Sequence, residues 1–366
     1  MTDIKIILED GTECRGKSFG YQGSAAGEVV FNTAMTGYPE SLTDPSYKGQ
    51  ILVMTYPLAG NYGVPCDDSE NNIPKYFESD DIYISALVVT DYTQNYSHWG
   101  ACKSLDQWMK ERRVPGICGV DTRMLAKHLR ENGTMLGKVI YQDQDIPSYN
   151  PYDENLVAQV SCREKIVYGN GAHRILLVDC GVKNNIIRNL IAHDATVIRV
   201  PWDYDFLNDE YDGLVISNGP GDPKKCDVTI RNIAKALERN KPMMGICLGG
   251  QLMGLAAGAD TFKLKYGHHS HNQPVKQLGG NTAFITAQNH GFAMNMDTLP
   301  DEWQPYYVNL NDGANEGIRH KTKPFFSVQF HPETSAVATD SEYLFGTFIE
   351  EVKKSYLCTA KKYIFQ

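Results

Sequence analysis

Three residues in the second half of this chain could carry nucleophilic chemistry: Cys247, His331 and Glu333. Cys247 sits in Lys241-Pro-Met-Met-Gly-Ile-Cys-Leu-Gly-Gly-Gln251, where an apolar run meets the start of a helical pattern. Gly-x-Cys-x-Gly at a strand-to-helix turn is the cysteine counterpart of the serine elbow of hydrolases. Its glycines admit a sharp backbone and keep bulk away from the sulfur. A sulfur at a helix N-terminus meets free N–H groups and the positive end of the dipole, which favour a thiolate over a thiol. Taken alone, the pattern fits a buried structural cysteine equally well.

His331-Pro-Glu333 follows an apolar run at 325–330. Residues two apart in extended chain share one side, so both side chains can face the cysteine. His331 then serves as general base and acid, and Glu333 orients the ring and stabilises the imidazolium. A third string, Ser217-Asn-Gly-Pro-Gly-Asp-Pro223, follows the run at 213–217. Backbone N–H groups at Gly219 and Leu248 are candidates for an oxyanion hole. A His-Pro-Glu turn or a Gly-Pro-Gly turn in isolation is common surface structure. Their occurrence together with the cysteine elbow is what points to catalysis.

The elements around these motifs alternate. Strands are expected at 175–179, 196–200, 213–217, 243–246 and 325–330, and helices at 184–192, 227–238 and 248–257, which predicts an α/β domain with a mostly parallel open sheet. Sites in such sheets lie beyond the carboxyl ends of strands, where the three motifs fall. The first part of the chain reads differently. Strand-like runs at 4–8, 28–32, 50–56 and 82–90 are punctuated by Gly and Pro, and helices are expected at 104–111 and 122–132, the second with Asp121 as N-cap and Gly133 as stop. A β-rich domain over 1–150, a linker over 151–172 and an α/β domain over 173–360 are the expected division.

The three motifs resemble those of class I (triad) glutamine amidotransferases. The resemblance narrows when the rest of the chain is added. Gly27-Glu-Val-Val-Phe-Asn-Thr-Ala-Met-Thr-Gly-Tyr-Pro-Glu-Ser-Leu-Thr-Asp-Pro-Ser-Tyr47, Asp121-Thr-Arg123, Leu129-Arg-Glu131, Tyr266-Gly-His-His-Ser-His-Asn-Gln-Pro-Val275 and Thr286-Ala-Gln-Asn-His-Gly-Phe292 are similar to the small-subunit family of carbamoyl phosphate synthetases. The glutaminase domains of anthranilate, GMP and CTP synthases lack such a first domain.

This resemblance implies glutamine contacts at Ser46, Gly219, Gly221, Leu248, Gln251, Asn289, Gly291 and Phe292. It implies L-glutamine hydrolysis through a cysteine thioester, with ammonia passed to a large synthetase subunit in a heterodimer or a higher oligomer of heterodimers. No cofactor is implied in this chain; ATP, Mg2+ and bicarbonate belong to the large partner, and arginine and pyrimidine synthesis are the destinations. One departure is Gly250, where the family usually has His or Asn. Activity is expected to be retained, with altered coupling to the partner. Three rival readings are the glutaminase of another synthase, a regulatory subunit impaired through Gly250, and a cysteine peptidase.

Bulk properties fit an ordinary globular enzyme. Hydrophobic residues are 42% and charged residues 22% of 366, enough for two proper cores. A net charge of -9 gives no attraction to nucleic acid or an anionic membrane. With no leader-like or membrane-spanning run, a cytoplasmic location is expected. Nine cysteines, an odd number without a Cys-x-x-Cys pair, suggest neither a disulfide framework nor a zinc ribbon, and most are expected to be buried, inert thiols. His268, His269 and His271 have no Cys or carboxylate beside them to complete a metal set, so no metal is expected, and a substrate-entrance or partner-facing loop is the preferred reading.

Overall fold

The computed structural model describes residues 2–334 and 339–364. It divides into two compact units, one of residues 1–156 with 265–270, the other of residues 157–264 with 271–366. The division falls after Leu156, and the span expected as a linker is structured. Ile166–Tyr168 is a strand pairing antiparallel with Ala195–Pro201 at the edge of the second unit's sheet.

The first unit is built on a closed barrel of seven strands, ordered Asp3–Leu8, Met135–Tyr141, Ala25–Asn32, Gln50–Met54, Ala86–Val89, Pro115–Cys118 and Glu13–Gly20. Two of these strands, Gln-Ile-Leu-Val-Met and Ala-Leu-Val-Val, are apolar almost throughout and wholly buried, as parallel strands covered on both faces require. Alternate residues supply different cores. Ile51, Val53, Ala86 and Val88 pack with Leu125 and Leu129 of helix Thr122–Asn132. Leu52, Met54, Leu87 and Val89 pack with Trp108 and Met109 of helix Leu105–Glu111. The strand expected at 82–90 is confined to Ala86–Val89.

The second unit carries a sheet of ten strands. Its centre is parallel, in the order Ala195–Pro201, His173–Asp179, Gly213–Ile216, Met243–Ile246, Phe325–Val328. Antiparallel strands not read from the sequence extend it: Asn315–His320, Trp303–Asn309 and Asp260–Gln277 on one side, with Ala283–Asn295 at the end. Helices Asn184–Ala192, Asp227–Leu237 and Leu248–Ala257 form where the alternation of elements placed them, the second ending one residue early.

Two expectations are corrected. Cys66 and Cys102 are bonded, with Cα atoms 5.2 Å apart. Pairing of Val64–Pro65 with Ala101–Lys103 brings them together across 36 residues, a proximity no local spacing reveals. Cys14 and Cys162 are half-buried and Cys118, Cys180, Cys226 and Cys247 buried, while the side chain of Cys358 lies outside the described residues. Nor do the histidines occupy a loop. His268, His269 and His271 lie on Asp260–Gln277, and the first two are buried. Among the described residues, no helix is long and apolar enough to cross a membrane.

The Asp121 side chain accepts the Met124 N–H at 2.8 Å and caps helix Thr122–Asn132. Asp121→Ala removes that acceptor and is expected to cost about 1 kcal/mol, seen as a lower denaturant midpoint at unchanged slope in chemical unfolding of the first unit's transition.

Candidate active site

Four neighbouring parallel strands deliver the chemistry to one edge. His173–Asp179 leads to Lys183, Gly213–Ile216 to Gly219, Met243–Ile246 to Cys247, and Phe325–Val328 to His331 and Glu333. Because the strands run the same way, the loops after them all leave from the same end of the sheet.

Cys247 has φ 53° and ψ −111°, a left-handed backbone that costs a non-glycine residue energy and survives only where its surroundings impose it. Its N–H donates to the Val328 carbonyl at 2.8 Å, and its own carbonyl accepts from Gly250 at 3.0 Å and Gln251 at 3.2 Å. The turn is therefore tied to the neighbouring strand on one side and starts the helix on the other. Glycine is obligatory beneath it: a Cβ on Gly249 would stand 2.1 Å from the Ile216 carbonyl oxygen. The loop after Gly213–Ile216 is as tight. A Gly219 Cβ would lie 2.0 Å from the Cys180 carbonyl oxygen and 2.9 Å from Leu248 Cδ2. Gly219 and Leu248 are thus neighbours, and Gly221 has φ 86°.

His331 and Glu333 are buried, and His331 Nδ1 lies 2.7 Å from Glu333 Oε1. The same oxygen accepts from Lys183 Nζ at 2.8 Å. Burial disfavours charge on both members of the pair. It is outweighed at His331 by the Glu333 carboxylate, with Cys247 adding in the same sense and Lys183 opposing, so the imidazole is held protonated well above its usual range. It is outweighed at Glu333 by Lys183 and His331, which hold the carboxyl ionised below its usual range. His331 Nε2 is buried and has no hydrogen-bond partner among the described residues, although Cys247 is near enough to favour the protonated ring.

Of the expected glutamine contacts of the second unit, Leu248, Gln251 and Asn289 stand beside the cysteine, and Gly219 stands against Leu248. Cys247 Sγ lies 3.7 Å from the Asn289 carbonyl oxygen. Gln251 Nε2 donates to the Phe292 carbonyl at 2.8 Å, and Gly291 and Phe292 are half-buried on the same strand, Ala283–Asn295. Ser46 belongs to the first unit, in the turn Pro45–Tyr47, where its N–H donates to Asp44 Oδ1 at 2.9 Å. Gly250 fits a tight approach of helix to strand, since a Cβ there would be 3.0 Å from Ser327 Cβ.

Two residues were missed by the reading of the sequence. Lys183 stands in Asp179-Cys-Gly-Val-Lys183, which carries no motif, and only the strand order shows that it reaches Glu333. Gln329 donates its Nε2 to Cys247 Sγ at 3.5 Å. Its signal was available: it stands two residues before His331, as Glu333 stands two after.

Comparison with known proteins accounts for both units. Residues 6–139 match the family described as carbamoyl-phosphate synthase small chain, CPSase domain, and residues 176–351 match glutamine amidotransferase class-I. The chain thus carries a carbamoyl-phosphate synthase small-chain domain followed by a class I glutamine amidotransferase domain. It is 50% identical over 359 residues to human "Carbamoyl-phosphate synthase [ammonia], mitochondrial", covering 97% of this chain and 24% of that protein. It is 50% identical over 352 residues to "Multifunctional protein CAD" of Squalus acanthias, covering 94% of this chain and 16% of that one. "Multifunctional protein pyr-3" of Neurospora crassa is 47% identical over 400 residues, covering 99% and 22%. The chain spans about a quarter or less of the length of these relatives.

The paired charges predict a titration. Replacing Glu333 with Gln removes the attraction that keeps His331 protonated and leaves the opposing charge of Lys183. In Glu333→Gln the imidazolium should lose its proton at a pH lower by more than about one unit, read from the 15N resonances of the ring. In the unaltered protein the sign is fixed by linkage. The raised His331 contributes stability fully below its unfolded pKa, lost as pH rises towards about 10; the depressed Glu333 contributes above its unfolded pKa, lost as pH falls towards about 2.

Proposed function

We propose that this chain is the glutamine-hydrolysing part of a carbamoyl-phosphate synthase. The observation that carries the reading is the meeting of a strained Cys247 elbow with the His331–Glu333 pair on one sheet edge. Cys247 sulfur attacks the carboxamide carbon of L-glutamine, and the oxyanion is received by the N–H groups of Gly219 and Leu248. His331 gives a proton to the departing nitrogen, which leaves as ammonia. A water then loses a proton to His331 and adds to the thioester carbon, the carbon–sulfur bond breaks, and glutamate is released. Gly221, Gln251, Asn289, Gly291 and Phe292 of the second unit hold the amino acid, the polar groups on its α-amino and α-carboxylate ends and Phe292 over its stem.

The ammonia is passed to a large synthetase partner, in a heterodimer or higher oligomer. The match of this chain to a quarter or less of each relative supports its working beside a larger synthetic part. ATP, Mg2+ and bicarbonate are bound by that partner and no cofactor by this chain. In our reading the reaction runs in the cytoplasm and supplies arginine and pyrimidine synthesis.

A second reading has its own observation. Several of the relatives carry "[ammonia]" in their names, so membership of the family does not by itself specify glutamine. Under this reading the chain is a catalytically impaired regulatory part. Reconstitution with a large synthetase subunit separates the two. The proposal expects carbamoyl phosphate from glutamine, a glutamine-analogue electrophile attached to Cys247, and loss of glutamine-dependent turnover by roughly a thousandfold or more in Cys247→Ser with ammonium-dependent turnover kept. Turnover with ammonium alone, together with an unlabelled Cys247 in the complex, would refute it.

A further inference from the structure

The nucleophile has a second polar neighbour besides the imidazole. Gln329 is buried, its Nε2 is 3.5 Å from Cys247 Sγ, and its Oε1 accepts from Gln251 Nε2 at 3.0 Å. Gln251 is also buried, and its Nε2 has a second acceptor, the Phe292 carbonyl, at 2.8 Å. A primary amide can turn over and present either oxygen or nitrogen. Here the choice is forced. A backbone carbonyl can only accept, so Gln251 must present its NH2 group to Phe292. The other hydrogen of that group then points to Gln329, which must present oxygen to it. The nitrogen of Gln329 is left facing the sulfur. One fixed acceptor therefore sets the polarity of the whole row, from Phe292 through two amides to Cys247.

The sulfur feels two opposed groups. As a thiol it donates to the Asn289 carbonyl at 3.7 Å, a contact that favours the neutral form, since a thiolate there would face an oxygen lone pair. The Gln329 N–H favours the opposite form, because a donor to a charged acceptor makes a stronger hydrogen bond than one to a neutral acceptor. We propose that Gln329 is a catalytic hydrogen-bond donor to the Cys247 sulfur, held in its donating orientation by the Phe292 carbonyl acting through Gln251. The donor supports sulfur whenever it carries charge: before attack, and again when the carbon–sulfur bond of the hydrolysing thioester breaks and sulfur departs with the electron pair. Because the row begins at Phe292, a ligand that shifts this strand changes the donor presented to the nucleophile. For its kinetic consequences the inference rests on the glutaminase reading; for the sulfur's reactivity it does not.

The test uses the full chain, with and without its large partner. Alkylation of Cys247 by iodoacetamide, a small reagent that does not need the glutamine site, is followed across pH by peptide mass. Gln329→Met keeps the volume and removes the donor; Gln329→Glu keeps the acceptor for Gln251 and sets a carboxylate against the sulfur. The expected result is alkylation at neutral pH slowed by roughly tenfold to a hundredfold, and more in the Glu variant than in the Met variant. Glutamine turnover should fall in kcat with KM nearly unchanged, whereas Gln251→Met should raise KM as well. Should the variants fail to fold, the unaltered protein still decides: the side-chain amide resonances of Gln329 must shift when Cys247 is alkylated. Alkylation profiles identical to the unaltered protein in folded variants, or a Gln329 amide indifferent to alkylation, overturns the proposal. A chain that hydrolyses no glutamine yet shows the alkylation effect overturns the glutaminase reading and leaves this one standing.

Discussion

A carboxylate taken fully out of water must be compensated, and the site is organised around the compensation of Glu333. One of its oxygens meets both Lys183 Nζ and His331 Nδ1, so a single buried negative charge is shared between an ammonium and an imidazole ring. Such arrangements are costly to desolvate and hold only when geometry is good on every side. Here it is supplied by two loops from strands three places apart in the sheet, His173–Asp179 and Phe325–Val328. Lys183 is positioned in turn by its neighbours. Its N–H donates to Asn218 Oδ1 at 3.2 Å, and the turn before it is gathered by Asp179, whose Oδ1 accepts from Gly181 and Val182 at 2.9 and 2.8 Å. Asp179 is itself buried against Arg199, 2.6 Å away. The ring that would handle protons is thus fixed by a chain of charges running two strands deep.

The nucleophile depends on a different constraint, close approach of bare backbone. The elbow requires the start of helix Leu248–Ala257 to lie almost on the strands beneath it: Gly245 and Gly249 leave no room for a side chain, a Cβ on Gly245 standing 2.7 Å from the Gly249 carbonyl oxygen, and Gly250 leaves little. Gly250 belongs to this set. A Cβ there would stand 3.0 Å from Ser327 Cβ, while the Cys247 backbone keeps its hydrogen bond to Val328. A glycine early in a helix costs conformational entropy, but at this position it also relieves crowding, which limits how far its presence alone argues for an impaired site.

Legibility in the sequence followed the range of the interaction. Local patterns read well. Helix Thr122–Asn132 begins after Asp121 and ends at Gly133 because capping chemistry is written within four residues. The elbow, the His-Pro-Glu turn and the Gly-Pro-Gly loop read well for the same reason. What was not legible depends on strand order. Lys183 becomes a partner of Glu333 only once its strand is known to lie in the parallel centre. The Cys66–Cys102 bond needs a pairing across 36 residues. The buried positions of His268 and His269 follow from an 18-residue strand whose length no hydrophobic alternation announces, its middle being polar. Gln329 is intermediate: the spacing of two was there, but a neutral amide does not advertise chemistry as a carboxylate or an imidazole does.

Family membership and chemistry answer separate questions in this protein. Likeness across nearly the whole chain fixes the domains, and the relatives include both ammonia-specified synthases and multifunctional proteins. A scaffold preserved at half identity would look the same whether or not it still cleaved an amide, because most of that identity can serve packing. The features that distinguish the cases are few and costly. A left-handed cysteine, a buried carboxylate with two cations and an amide row ending on sulfur each impose strain or desolvation that packing does not need. A chain released from hydrolysis would have no reason to keep all three at one sheet edge. Their joint presence argues for the chemistry more strongly than the percentage of identical residues does.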